Sequence, residues 1–193
     1  MGKTLIIDGV TEISDDYKVS CRGACKGVEE IIIGEGVKTI GKYAFATCLT
    51  VKRITIADSV TTIGKGAFYQ CSKLESLTLG KGIKTIDSDA FWYCTKLKQV
   101  TLPEGLKKLG NYAFANCGFE SIAIGKNLAK MGEHAFQECK ELKSVTVADG
   151  VTAIGRCAFC GCKKLESVNI PSSVDFIGAE AFYDCEKLAE ITI

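Results

Sequence analysis

Two hydrophobic periods alternate along this chain and recur together. Short β-branched runs such as Ile54-Thr55-Ile56 and Val145-Thr146-Val147 place apolar side chains at every second position. That is the pattern of a strand with one buried face. Turns follow, carried by glycine in stretches such as Gly34-Glu35-Gly36 and Gly80-Lys81-Gly82. A second apolar stretch then leads into Ala-Phe-x-x-Cys, where the apolar residue and the cysteine sit at i and i+3. This spacing suits one turn of helix. The expectation for each unit is therefore a strand, a glycine turn and a helical turn.

The last motif occurs seven times. Its phenylalanines are Phe45, Phe68, Phe91, Phe114, Phe136, Phe159 and Phe182, at spacings of 23, 23, 23, 22, 23 and 23 residues. The short interval follows Cys117, where Cys-Gly-Phe replaces the usual Cys-x-x-Leu. The full unit reads roughly Leu-x-x-Ile-x-Ile-x-x-x-Val-x-x-Ile-Gly-x-x-Ala-Phe-x-x-Cys. A unit of about 23 residues cannot bury its own apolar face, but stacked units can.

The stretch Ile170-Pro171-Ser172-Ser173-Val174-Asp175-Phe176-Ile177-Gly178-Ala179-Glu180-Ala181-Phe182-Tyr183-Asp184-Cys185 resembles the repeat of the BspA-like leucine-rich-repeat family almost position by position. Thr4-Leu5-Ile6-Ile7-Asp8-Gly9 resembles the degenerate first strand of such arrays. The resemblance extends over nearly the whole chain. It implies the α/β class: a curved leucine-rich-repeat solenoid with a parallel β-sheet on the concave side. Short helical turns are expected on the convex side, with about seven repeats after a degenerate N-terminal cap. The expected division is a capping strand and insertion over residues 1–27, then the array and a final strand over 28–193. No internal domain boundary is visible, and the only prolines are Pro103 and Pro171.

In such a stack, equivalent residues form columns about 4.8 Å apart across the sheet. The phenylalanines are expected to make a continuous inner spine. The motif cysteines, Cys48, Cys71, Cys94, Cys117, Cys139, Cys162 and Cys185, lie at a spacing that a disulfide allows. Their side chains run parallel into the core, however, and their number is odd. The reading is therefore buried thiols donating to turn carbonyls. Four cysteines fall outside this column: Cys21 and Cys25 in Cys-Arg-Gly-Ala-Cys, and Cys157 and Cys160 flanking Ala-Phe of the sixth motif. The two pairs lie about five repeats apart and cannot share one tetrahedral zinc site. They are expected as exposed or partly exposed thiols, with a labile Cys21–Cys25 or Cys157–Cys160 disulfide as the alternative. The single histidine, His134, occupies a variable position. One further column, Glu29, Lys52, Glu75, Lys98, Glu120, Lys143 and Glu166, alternates strictly in sign. Neighbouring strands would then oppose unlike charges, which favours one register.

Composition narrows the functional classes. Lys+Arg is 24 and Asp+Glu is 23, which argues against nucleic acid as a partner. Apolar residues make up 47%, enough for a core, yet no apolar run approaches the roughly 20 residues of a membrane helix. No signal peptide is visible, and Ile6 stands where a myristoylation signal needs Ser or Thr. Gly2-Lys3-Thr4 lacks the upstream glycine and strand of a phosphate loop. With one histidine and scattered carboxylates, no catalytic constellation, cofactor site or metal site is expected.

Two surfaces remain as candidates for a partner. The concave columns offer Arg53, Thr55, Ser76, Thr78, Gln99, Thr101, Ser144, Thr146 and Asn169, a hydroxyl-rich and nearly uncharged face. Ala123 and Asn169 interrupt its threonine lattice and argue against ice binding. The alternative is the outer face around Ala-Phe, with Tyr43, Tyr69, Trp92, Tyr93, Tyr112 and Tyr183. Tyr69 and Trp92 share a column there and are placed to stack, and exposed aromatics are enriched at binding hot spots. The family resemblance implies a secreted or cell-surface, non-catalytic protein-interaction module. It would be an adhesin-like array contacting host or neighbouring-cell proteins. A structural spacer, or glycan recognition by the Ser/Thr ladder, is the alternative. The bare last strand Ile191-Thr192-Ile193 raises two expectations: a natural chain continuing past Ile193, or a homodimer through this end.

Overall fold

A computed structural model describes residues 2–14 and 25–192 of the chain. The β-branched runs form strands because their inward side chains are buried while the outward ones meet solvent. In Arg53–Ile56, Ile54 and Ile56 are buried and Arg53 and Thr55 are exposed. The first half of the chain carries β1 (Lys3–Ile7), β2 (Glu12–Ile13), β3 (Val28–Ile33), β4 (Thr39–Ile40), β5 (Arg53–Ile56), β6 (Thr62–Ile63), β7 (Ser76–Thr78) and β8 (Thr85–Ile86). The second half carries β9 (Lys108–Leu109), β10 (Ser121–Ile124), β11 (Ser144–Val147), β12 (Ala153–Ile154), β13 (Ser167–Asn169), β14 (Phe176–Ile177) and β15 (Glu190–Thr192).

All pairing is parallel, between one coil and the next, as in a β-solenoid. The longer strands form two four-stranded blocks, β1-β3-β5-β7 and β10-β11-β13-β15. The two-residue strands make a second face, β2-β4-β6-β8-β9 and β12-β14. The bridges Leu109↔Met131 and Lys130↔Ala153 carry this second face across the gap between its two parts. Register follows the repeat: Ile54 faces Ile31 on one side and Leu77 on the other.

The long-strand face is interrupted at Lys98–Thr101, where no strand forms. Gln99 and Thr101 were expected on a strand and are exposed outside one. Pro103 follows this stretch. It stands where Ala57 and Ala148 each donate a backbone N–H to the preceding coil, at 2.9 and 3.0 Å, and proline has no N–H to give.

The core is one hydrophobic column. Phe45, Phe68, Phe91, Phe114, Phe136 and Phe159 are fully buried. Successive rings lie 5.0–5.8 Å apart and within 10° of parallel, and Phe182 closes the row at 5.6 Å. Near-parallel rings at such distances are offset stacks. The widest step, 5.8 Å, separates Phe114 from Phe136. There Phe119 sets its edge against both rings. Phe119 fills the corner of the 22-residue repeat with a ring where other repeats use leucine or, at Val51, valine.

The expected helical turns do not form; among the described residues there is no helix. Two features displace them. The residues just before Ala-Phe and just before Cys take positive φ in every repeat, for example Tyr43 at 56° and Thr47 at 59°. A helix cannot continue through such residues. The backbone donors also point to the next coil. Phe45 N–H reaches Ala67 O at 2.7 Å, Phe68 N–H reaches Ala90 O at 2.8 Å, and the series continues to Phe159 and Ala181. The turn is thus a third inter-coil ladder. Close stacking is permitted by glycine in the preceding Ile-Gly position: a Cβ on Gly110 would lie 2.3 Å from Ser88 N.

Candidate interaction surfaces

The inner side of each turn is committed to packing. Cys71, Cys94, Cys117, Cys139, Cys162 and Cys185 each donate Sγ–H to the phenylalanine carbonyl one coil back, at 3.2–3.5 Å. The carbonyls of Phe68, Phe91, Phe136 and Phe159 also accept the backbone N–H of their own repeat's cysteine. Both lone pairs of each are thereby used. Burial pushes the Cys139 thiol up to about 12 and Cys162 beyond that, and it raises Cys94 and Cys117 as well. These sulfurs are protonated donors inside the core, as the sequence suggested.

The long-strand face carries the first set of candidate residues. Glu30, Arg53 and Ser76 align across β3, β5 and β7; Ser121, Ser144 and Ser167 align across β10, β11 and β13. Arg53, Thr55, Ser76, Thr78, Gln99, Thr101, Thr146 and Asn169 are exposed, and Ser144 is half-buried. Two pairs of the alternating charge column close: Lys52 with Glu29 at 3.1 Å and Lys143 with Glu120 at 3.0 Å. Arg53 adds a pair with Glu30 at 3.2 Å, one column over. Hydrogen bonding to Arg53, then to Thr4, holds the Glu30 carboxyl below its ordinary range; Lys143 does the same for Glu120. Arg53, a candidate contact residue, is therefore occupied in an ion pair.

The outer side of the turns assembles the second set. Tyr43 meets Tyr69 edge-on at 6.5 Å, Tyr69 meets Trp92 edge-on at 5.4 Å, and Trp92 meets Tyr112 at 5.5 Å. The Tyr69–Trp92 contact is T-shaped at 70° rather than stacked. Tyr93 joins from Trp92's own repeat at 5.8 Å. Glycine shapes the start of the row, because a Cβ on Gly66 would fall 2.1 Å from the Tyr43 ring. Tyr43 and Tyr93 are exposed, whereas Tyr69, Trp92 and Tyr112 are half-buried. The Trp92 Nε1 is buried with no hydrogen-bond acceptor. Tyr183 stands apart, three repeats beyond Tyr112 and 67% exposed, since Ala115, Gln137 and Cys160 separate it from Trp92 in its column.

His134 extends the row in a way the sequence reading missed. Its imidazole stacks on Tyr112 at 4.4 Å and 5°, and its Nδ1 lies 2.9 Å from Gln137 Oε1. The signal was present: His134 occupies the same repeat position as Tyr112. Among the described residues, no group of three or more His, Cys, Asp or Glu side chains is placed to hold a metal. Cys21 lies outside the described residues, while Cys25 is buried. Cys157 is also buried, against the expectation of an exposed or partly exposed thiol, and Cys160 is half-buried; the two hold the same turn positions as His134 and Gln137.

The repeat sequence is matched by a known family. The model of the BspA type leucine rich repeat region matches residues 18–143 and 130–193, in six copies. The chain belongs to this BspA-type leucine-rich-repeat family. A leucine-rich repeat protein from Bacteroides ovatus is 34% identical over 81% of this chain, with a TM-score of 0.78. The BspA-type array described here spans 41% of that protein's length. The leucine-rich repeat protein of T. pallidum is 28% identical, with 84% of this chain and 78% of that one covered and a TM-score of 0.80. A leucine rich cell surface protein from Faecalibacterium prausnitzii shares the fold at 22% identity, over 98% of this chain and 81% of that one, with a TM-score of 0.57. No curated protein matches the sequence. Among the described residues, no helix is long and apolar enough to cross a membrane.

Proposed function

We propose that this BspA-type array is a non-catalytic protein-interaction module of a secreted or cell-surface protein, and that it grips its partner through the outer aromatic row. One observation carries the reading: the ring-to-ring path from Tyr43 through Tyr69, Trp92 and Tyr112 to His134 crosses five consecutive repeats. Aromatic anchors of this kind dominate protein interfaces. The surface location rests on the family resemblance.

A second reading uses the long-strand face, where Thr55, Thr78, Gln99, Thr101 and Asn169 are exposed side by side along the array. That face would suit an extended protein segment or a glycan, but it lacks an aromatic anchor. Binding to a panel of extracellular and host-surface proteins separates the readings. A partner whose binding survives the combined change Arg53→Ala, Gln99→Ala and Asn169→Ala, yet is lost in Tyr69→Ala with Trp92→Ala, supports the outer row. The reverse result transfers the site to the long-strand face. Absence of any saturable partner leaves the array a spacer or display scaffold.

Self-association through the last coil belongs to the same proposal. Phe176 and Ile177 of β14 and Ile191 of β15 are exposed, and β15 is the outermost strand of its block. Light scattering that finds only monomer at high protein concentration removes it.

A further inference from the structure

The sixth turn carries a feature that packing does not use. Cys157 and Cys160 occupy the positions just before and just after Ala-Phe. Cys160 N–H donates to Cys157 O at 3.1 Å, closing a turn around Ala158 and Phe159. Such a turn brings its first and fourth Cα atoms within about 7 Å, and a disulfide needs them about 4.4–6.8 Å apart. Side chains at these two positions reach each other in the neighbouring turn. One coil earlier the same positions hold His134 and Gln137, whose side chains meet at 2.9 Å. The third nearby sulfur, Cys162, is directed into the core and donates to Phe136 O at 3.3 Å.

We propose that Cys157 and Cys160 form a reversible thiol–disulfide pair that exchanges with low-molecular-weight disulfides. The half-buried Cys160 loses its proton and attacks one sulfur of the small disulfide. One small thiolate leaves, and a mixed disulfide remains on Cys160. Cys157 then loses its proton and attacks the Cys160 sulfur, and the second small thiolate leaves. The two leaving thiolates take up the two protons. The protein gives up two hydrogens and two electrons, and the small disulfide becomes two thiols. Oxidation also withdraws the Cys157 thiol from Glu180, whose carboxylate it meets at 3.2 Å. That leaves Glu180 with Arg156, at 3.7 Å.

Slow exchange is expected. Burial, then the Glu180 carboxylate, pushes the Cys157 thiol up to about 11, and burial raises Cys160 too. Few thiolates are present at neutral pH, and the thiolate is the attacking form.

The test equilibrates the native, reduced chain with glutathione and glutathione disulfide at a series of ratios. Exchange is stopped with acid, and free sulfurs are alkylated in denaturant. Cleavage after Arg156 and Lys163 releases a peptide holding Cys157, Cys160 and Cys162 together. The expected result at the oxidised end is loss of two of its three alkylated sulfurs, with fragmentation placing the link between Cys157 and Cys160. Cys157→Ser should retain a glutathione adduct on Cys160, because no resolving thiol remains. Cys160→Ser should stay fully alkylated. Three results overturn the proposal: three alkylated sulfurs in the oxidised wild type, a link that includes Cys162, or a glutathione adduct persisting on wild-type Cys160. The wild-type measurement alone suffices should a variant fail to fold.

Discussion

Each turn has an inside and an outside, and the two are governed differently. Inside, the same Phe and Cys recur because every coil must present the next with an identical shape and an identical carbonyl. Outside, the same backbone positions hold Tyr43, Gly66, Asp89, Tyr112, His134, Cys157 and Glu180 in turn. Stacking constrains the path of the backbone there but not the side chain. The aromatic row and the thiol pair use those same positions in different repeats. Individuality in this array therefore belongs to the outer side of the turns, while stability belongs to the inner side. Cysteine appears on both sides and shows the contrast within one residue type.

Alkaline titration should expose the inner side first and produce the largest effect. An unfolded thiol ionises near about 8.5, whereas burial raises Cys94 and holds Cys117, Cys139 and Cys162 protonated well above that. The unfolded state therefore releases its protons first. The stabilisation is whole below about pH 8.5 and is lost as the pH climbs toward the folded values. Each thiol held above the window contributes about 1.4 kcal/mol per pH unit, so Cys139 and Cys162 alone give a slope of about 3 kcal/mol per unit. Denaturant titrations between pH 8 and 10 measure it. A flat profile would mean that the column thiols ionise as freely in the folded chain as in the unfolded one.

Phe114→Ala should follow in size. Its ring lies against Phe91, Phe119 and Phe136 at 5.0, 5.6 and 5.8 Å, and truncation costs about 3–5 kcal/mol through transfer and cavity terms. Tyr112→Ala, two residues away on the outer side, should cost about 1 kcal/mol. Equal losses from the two variants, by chemical denaturation, would erase the distinction between the two sides.

Cys139→Ala sharpens the comparison at smaller scale. It removes a buried donor from Phe114 O and should cost about 1–2 kcal/mol. It should also lower the alkaline slope by about 1.4 kcal/mol per pH unit. Cys160→Ala, on the outer side, should stay within about 0.5 kcal/mol of the parent.

The sequence made the inner side legible and the outer side only partly so. A 23-residue period with Phe and Cys in fixed places has one physical reading, because only stacking buries those residues. The cysteine donors followed from the direction of the side chains. The helical turn did not survive, since i and i+3 spacing also fits a β-turn and says nothing about where the backbone N–H groups go. They go to the next coil, a long-range choice that a local pattern cannot register. The outer tyrosines were visible as a set, yet their order was not. Tyr183 resembles the others in sequence and is isolated in space, and His134 differs from them and completes the row. Side chains that no stacking rule constrains can be placed only once the turn geometry is known.

A small stability change, and one of opposite sign, is expected where the functional argument is strongest. Trp92 buries its Nε1–H without an acceptor, and an unpaired buried donor costs about 1–3 kcal/mol. Trp92→Phe removes that donor and part of the ring area together, so thermal unfolding should move little, within about 1 kcal/mol and toward greater stability. A residue chosen for packing alone would not keep an unsatisfied group in a row where Tyr and Phe also fit. Binding should respond in the opposite sense, with Trp92→Phe weakening a partner that Trp92 anchors while the fold is unharmed. A destabilisation above about 1.5 kcal/mol would show that the indole is held for its contacts with Tyr69 and Tyr112. The outer side would then be a packed layer like the inner one, and the separation between stability and recognition would fail at its most exposed point.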